Sequence, residues 1–188
     1  MTNPPTIAVI VGSLRKASWS RKLALALIEL GKPDLAMSIV EIGELSHYDE
    51  DAEADVPAAW AAFRDAVRPA DGVLFVTQEY NRGVPGVLKN AIDVGSRPYG
   101  KSVWSGKPAA IVSNSPGVIG GFGANHHLRQ SLVFLDMPTL QQPEAYVGGV
   151  ATLFDETGGI AVEGTRKFLT GLLAKYAAWV KRNAPSQV

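Results

Sequence analysis

The stretch that decides the fold reads Ile7-Ala8-Val9-Ile10-Val11-Gly12-Ser13-Leu14-Arg15-Lys16-Ala17-Ser18-Trp19-Ser20-Arg21. Its first five residues are a mostly β-branched apolar run with the composition of a strand buried on both faces, and residues 22–30 that follow have helical spacing. The junction is therefore a strand-to-helix turn, and turns of that kind bind anions. The first free amides of the helix point into the loop, the helix dipole adds partial positive charge, and Ser13, Ser18, Ser20, Arg15 and Arg21 add hydroxyl and guanidinium donors. The stretch reads as a phosphate cup.

What the cup lacks narrows the phosphate. A dinucleotide site needs G-x-G-x-x-G and a nucleoside triphosphate site needs G-x-x-x-x-G-K-[ST]; neither pattern is present. One glycine with three serines and two arginines suits a single terminal phosphate, as in mononucleotide sites at the switch point of an open parallel sheet. A simpler alternative stays open at this level: Ser18 and Ser20 cap the helix, and the basic residues form a solvated rim.

At 188 residues, with no Pro/Ser/Gly-rich linker, the chain is expected to form one domain over residues 1–188. Apolar residues make up 46%, charged residues 19%, and the formal net charge is +0, so neither disorder nor a broad nucleic-acid surface is indicated. The chain has no cysteine, which removes disulfides, thiolate nucleophiles, iron–sulfur ligands and thiolate zinc sites together. The polar lead from Met1 to Thr6 does not resemble a signal peptide, and no segment approaches the ~20 apolar residues of a membrane span. A cytoplasmic location is expected.

Beyond the cup, Arg21 to Leu30 is expected to be a helix closed by Gly31 and Pro33, and Ala36 to Ile42 a more exposed strand near a sheet edge. Residues from Tyr48 to Asp55 carry consecutive carboxylates without the spaced ligands or turn glycine of a calcium loop, so a solvated surface loop is expected, with no metal. Val56 to Pro69 reads as an amphipathic helix with Trp60, Phe63 and Val67 inward. Asp71 to Thr77 is a second buried strand running into Gln78-Glu79-Tyr80-Asn81-Arg82-Gly83-Val84-Pro85-Gly86, and Pro85 starts the next helix. Two strand-to-helix loops side by side define one pocket, and Tyr80, Asn81 and the backbone around Glu79 can supply a wall and edge groups for a planar ring. An ordinary polar turn would look similar.

Pro108 to Asn114 is the next strand, followed by the glycine-rich loop Ser115 to Gly123 and a helix from Ala124 to Leu135. That loop is expected to form a third wall of the pocket, its glycines letting the chain lie flat on a bulky ligand. His126 and His127 are adjacent and so face different directions, which argues against shared metal ligation. Tyr146-Val147 belongs to a weak last strand, and Gly164 to Arg182 closes the chain as a helix with Phe168, Leu172, Leu173, Tyr176, Trp179 and Val180 on one face. Strand and helix alternate about five times. The expected architecture is α/β: a doubly wound parallel five-stranded sheet with helices on both faces.

With both loops in hand, the sequence resembles the NAD(P)H-dependent FMN reductase family, which includes quinone, chromate and azo-dye reductases. The resemblance runs from Ile7 to about Lys181. It is carried by Gly12-Ser13-Leu14-Arg15-Lys16-x-Ser18-x-Ser20-Arg21-Lys22-Leu23 and by Glu79-Tyr80-Asn81-x-x-x-Pro85-Gly86-x-Leu88-Lys89-Asn90-Ala91-Ile92-Asp93, with Ser115-Pro116-Gly117-x-x-Gly120-Gly121 a looser third motif. The resemblance implies a flavodoxin-like fold, non-covalent FMN, NADPH or NADH as co-substrate, and a small-molecule electron acceptor. It assigns the phosphate to Ser13, Arg15, Ser18, Ser20 and Arg21, and the isoalloxazine to Glu79, Tyr80, Asn81 and Arg82. Ser113, Ser115 and Gly117 would face the ring from the third loop. It also implies a homodimer or homotetramer, with Val84, Val87 and Leu88 as contact residues. The chain departs from the family pattern at Gln78, where proline is usual, at Ser20, where asparagine is common, and at Val94, near which tryptophan is common.

Because flavin carries the chemistry in such enzymes, no side chain is required as nucleophile or acid–base group. Two rivals share the fold: a passive flavodoxin-type electron carrier, against which the neutral charge counts, and a non-redox interaction module. A serine hydrolase is further off, since no G-x-S-x-G elbow occurs.

Overall fold

A computed structural model describes residues 3–184, so Met1 and Thr2 of the polar lead and residues 185–188 lie outside the described residues. Five strands, β1 (Thr6–Val11), β2 (Ala36–Val40), β3 (Gly72–Thr77), β4 (Ala109–Asn114) and β5 (Ala145–Val147), pair in parallel in the order β2-β1-β3-β4-β5. The connecting helices are α1 (Trp19–Gly31), α2 (Ala58–Val67), α3 (Gly86–Gly95), α4 (Phe122–Phe134) and α5 (Glu163–Asn183).

The run Ile7 to Val11 is buried on both faces because successive side chains alternate between two cores. Ile7, Val9 and Val11 join Leu74, Val76 and the inner faces of α1 and α5, whereas Ala8 and Ile10 join Val73, Phe75, Trp60 and Trp104 on the side of α2, α3 and α4. This is the doubly wound, flavodoxin-like sandwich. β2 lies at an edge, as its mixed burial pattern requires. The chain leaves β1 toward β2 on one side and returns past it to β3, so the loops after β1 and β3 diverge and open a crevice at the carboxyl ends.

Two expectations change. Phe168 is exposed, and Leu169 takes the inward position on α5 beside Leu172, Leu173, Tyr176 and Val180. The acidic segment lies at the surface as expected, with no residue of Glu50–Ala54 buried, but it is shaped and anchored. Residues Glu50–Ala54 form a 3-10 turn, Glu53 meets the buried Arg64 at 2.5 Å, and Arg64 Nε donates to the Val94 carbonyl at 2.9 Å. Tyr48 stacks on Trp60, and its amide donates to Asn90 Oδ1 at 2.8 Å. Charge periodicity alone could not reveal this, because the partner lies on α2. Among the described residues no helix is long and apolar enough to cross a membrane, and no cluster of potential ligands could hold a metal ion.

Candidate functional site

The cleft at the carboxyl ends of β1, β3 and β4 is organised by a hydrogen-bonded floor. The Gln78 side chain donates from Nε2 to the Gly12 carbonyl at 2.8 Å and accepts from the Ser20 hydroxyl at 3.0 Å. Asn114, at the end of β4, donates to that same hydroxyl at 3.0 Å and to the Thr77 carbonyl at 3.1 Å. Four segments are thereby tied together at one serine.

Above this floor the first turn of α1 opens toward the loop. Ser18 is the N-cap, its hydroxyl accepting from the Arg21 amide at 3.1 Å and its carbonyl from the Lys22 amide at 3.0 Å. The amides of Trp19 and Ser20 precede the first intrahelical bond and face outward at the positive end of the dipole. Ser13, Arg15 and Ser18 stand around them on the cleft wall, and Arg15 has no acidic partner among the described residues. Such a cup fits one phosphate dianion.

The remaining wall comes from Glu79 and Tyr80 after β3 and from Ser115 and Pro116 after β4. The cleft measures ≈190 Å³, below the ~300 Å³ of a pocket that encloses a whole ligand, so it suits a phosphate and its polyol chain with a ring spread across the open side. A larger groove of ≈610 Å³ runs between α1 and the turn around Asp155. Its location along a helix flank, away from the strand ends, sets it apart from the switch-point crevice.

Of the twelve residues singled out in the sequence, Ser13, Arg15, Ser18, Ser20, Glu79, Tyr80 and Ser115 line this cleft. Five stand elsewhere. Arg21 points back along the sheet and forms a two-pronged pair with Glu41, 2.6 Å at its closer contact. That hydrogen bond holds the Glu41 carboxyl below its usual range and the guanidinium above its own. Ser113 is fully buried within β4, donating to the Ala145 carbonyl at 3.3 Å and accepting from Asn125, so it belongs to the core. Asn81 and Arg82 form the outer turn after β3, and Gly117 sits in the third loop with its amide on the Ser115 hydroxyl. Ser20 lines the cleft, yet its hydroxyl is committed to the floor and only its amide is free to face a ligand.

Trp19, Gln78 and Asn114 also line the cleft, beyond the residues that the sequence motifs mark. Asn114 had a signal: a polar residue ending a buried strand in a doubly wound sheet must be satisfied by a neighbouring loop. The glycines of the third loop also have a different cause. Gly120 has φ +64°, and a Cβ there would stand 2.5 Å from the Tyr146 carbonyl carbon, so this glycine is required by packing on β5.

Parallel sheet order, switch-point cleft and phosphate cup define a flavodoxin-like mononucleotide-binding protein. The chain belongs, more narrowly, to the family described as NADPH-dependent FMN reductase, whose model matches residues 5–152. It is 61% identical over 184 residues to a quinone reductase of Pseudomonas putida, covering 97% of this chain and 98% of the relative. It is 47% identical to a 2-hydroxy-1,4-benzoquinone reductase of a Burkholderia species, with 93% and 96% covered. Among solved structures, FerB of Paracoccus denitrificans, a flavoenzyme NAD(P)H:(acceptor) oxidoreductase, superposes with a TM-score of 0.91 at 39% identity, covering 96% of this chain and all of that one. By this membership the chain is an FMN-dependent NAD(P)H oxidoreductase.

Proposed function

We propose that this chain is a single-domain quinone reductase, with residues 1–188 forming one unit that holds FMN in the switch-point cleft. Chromate, azo dyes and free flavin are further acceptors of the same class. The observation that carries the reading is the pairing of a one-phosphate cup with an open, flat-walled side, in a chain 61% identical to a quinone reductase over nearly its whole length.

FMN, when bound, supplies the redox chemistry, taking hydride from the nicotinamide and handing electrons to the acceptor. The chain binds and orients. The Trp19 and Ser20 amides, the Ser13 and Ser18 hydroxyls and the Arg15 guanidinium hold the phosphate. The Gln78–Ser20–Asn114 floor fixes those donors relative to β3 and β4. Glu79, Tyr80, Asn81 and Arg82 border one edge of the ring, and Ser115 with Gly117 borders the other. Both substrates then use the same open face in turn.

The test begins with the purified protein, which should be yellow and should be bleached by NADPH or NADH without air, then recover its colour when a benzoquinone is added. A protein that binds FMN yet ignores nicotinamides would be a passive carrier; one that binds no FMN would overturn the reading altogether.

The two arginines of the cup should separate. Arg15→Ala is expected to weaken FMN binding about tenfold, the loss of one or two charge-assisted hydrogen bonds. Arg21→Ala, whose guanidinium is engaged by Glu41, should change it less than about threefold. Flavin fluorescence quenching titrations read both, and equal losses would restore Arg21 to the phosphate site.

A homodimer or homotetramer is proposed as well, and the surface supports it: Val133 and Phe134 on α4 are 76% and 88% exposed, and Tyr99 is 91% exposed. Leu88 cannot serve as a contact, because it is fully buried within the chain's own core. Val84 and Val87 are half-buried and keep that role open. The proposed location is the cytoplasm.

A further inference from the structure

The turn that borders the ring is conformationally demanding. Asn81 and Arg82 have φ values of +50° and +63°, two successive side-chain-bearing residues in the left-handed region, closed by a two-way backbone pairing of Tyr80 with Gly83. A segment of this kind persists only where its surroundings hold it. Two straps from α4 do so. The Glu79 carboxylate accepts from the Ala124 amide at 2.9 Å, in the first turn of α4. Gly123 makes this approach possible, because a Cβ there would lie 2.8 Å from Glu79 Oε2 and 3.0 Å from the Arg82 carbonyl. At the far end of the turn, the Val84 amide donates to His127 Nδ1 at 3.2 Å.

An amide can only donate. Nδ1 of His127 must therefore carry its lone pair, and the proton of the neutral ring sits on Nε2. Adding a second proton would set a ring N–H against the Val84 N–H and open this strap.

We propose that His127 is a positioning residue for the flavin site: its neutral imidazole latches the Tyr80–Gly83 turn in the ring-receiving geometry, and protonation unlatches it. This rests on the FMN reading above and names a control built into that same site. The other strap is a separate contact: the Glu79 carboxylate accepts from the Ala124 amide and lies 3.6 Å from the Arg82 guanidinium. His127 is exposed, no carboxylate stands within ion-pairing distance of it among the described residues, and the other titratable groups of α3 and α4 have partners of their own. On α4, His126 meets the Tyr146 hydroxyl at 2.9 Å and Arg129 lies 3.9 Å from Glu144; on α3, Asp93 is bound by Lys89 at 2.7 Å. The Tyr146 phenol itself is pushed up to about 12, chiefly by burial, and stays uncharged throughout.

If only the latched form receives flavin, the apparent dissociation constant rises as the inverse of the latched fraction. Histidine is the side-chain type whose ordinary charge change lies between pH 5 and 8, so the measurement is made within that range. FMN's own phosphate titrates nearby, and the experiment must cancel it. FMN affinity of the full-length protein is therefore measured by fluorescence quenching from pH 8.0 to pH 5.5 in three versions: unaltered, His127→Asn and His127→Leu. Asparagine places a non-titrating acceptor near the Nδ1 position, and leucine removes the acceptor.

The unaltered protein and His127→Asn should bind alike at pH 8.0 and diverge on acidification, the unaltered protein becoming about three- to tenfold weaker than His127→Asn by pH 5.5. His127→Leu should be weak at both ends, with little further loss on acidification relative to His127→Asn. Parallel curves for the unaltered protein and His127→Asn, or full affinity in His127→Leu, overturn the latch while leaving the FMN site intact. Absence of FMN binding by the unaltered protein at pH 8.0 would instead sink the reading on which the latch rests.

Discussion

Asn114→Ala is expected to cost this protein about 2 to 3 kcal/mol of stability and at least about tenfold in FMN affinity. The Asn114 side chain is 1% exposed and donates to both the Ser20 hydroxyl and the Thr77 carbonyl. Truncation leaves those two buried groups short of a partner, and each orphaned group costs roughly 1 to 3 kcal/mol. The functional loss follows from position. Ser20 is the second residue of α1, so the asparagine sets where the phosphate-facing amides stand relative to the loop after β3. A flavin must satisfy both at once, and every ~1.4 kcal/mol of lost fit is a factor of ten. Urea titration and flavin quenching on the same sample check the two effects together. Lower stability with unchanged affinity would show that the floor supports the fold alone.

Glu53→Ala should lower unfolding stability by about 3 kcal/mol while leaving FMN affinity within about twofold. The carboxylate is 16% exposed and its partner Arg64 only 6%. Removing the anion alone strands a buried guanidinium, whose Nε remains tied to the Val94 carbonyl. Breaking one half of such a pair costs on the order of 3 to 5 kcal/mol, and the residual exposure of Glu53 places this case at the lower end. Replacing both partners separates the pair from its packing. Glu53→Ala combined with Arg64→Met should be no less stable than Glu53→Ala alone, because the stranded charge is gone. A double variant that is clearly worse than the single one would mean that the arginine stem, rather than its charge, carries the contribution. Chemical denaturation midpoints decide this.

The three loops of the site were legible to different degrees. The helix start after β1 is legible, because a buried strand, a glycine and a capping serine are local features; the partners that engage Arg21 and the Ser20 hydroxyl are not. The loop after β3 was placed, but not its shape. Asn81 is a residue type that tolerates the left-handed region, but nothing announces that Arg82 follows it there, and the hold on both comes from α4, some forty residues downstream. The third loop lines the cleft through Ser115 and Pro116, while its first left-handed glycine answers to the backbone of β5. Ser113 and Arg21 were drawn toward the ligand by residue type. In a parallel strand the odd and even positions face opposite cores, and register alone decides that Ser113 turns into the protein while Asn114 serves the cleft.

By itself the sequence determined the layer architecture and the edge position of β2, because both depend on hydrophobic period, and it pointed to the strand ends and to a one-phosphate cup as the place to look for the site. The tertiary structure alone decided which polar side chains are free to meet a ligand and which are consumed internally: Arg21 by Glu41, Ser20 by Gln78 and Asn114, Glu53 by Arg64, His127 by Val84. The reason is that a hydrogen bond is satisfied in space, between groups up to 94 positions apart in this chain, and a donor's availability is a property of its partners.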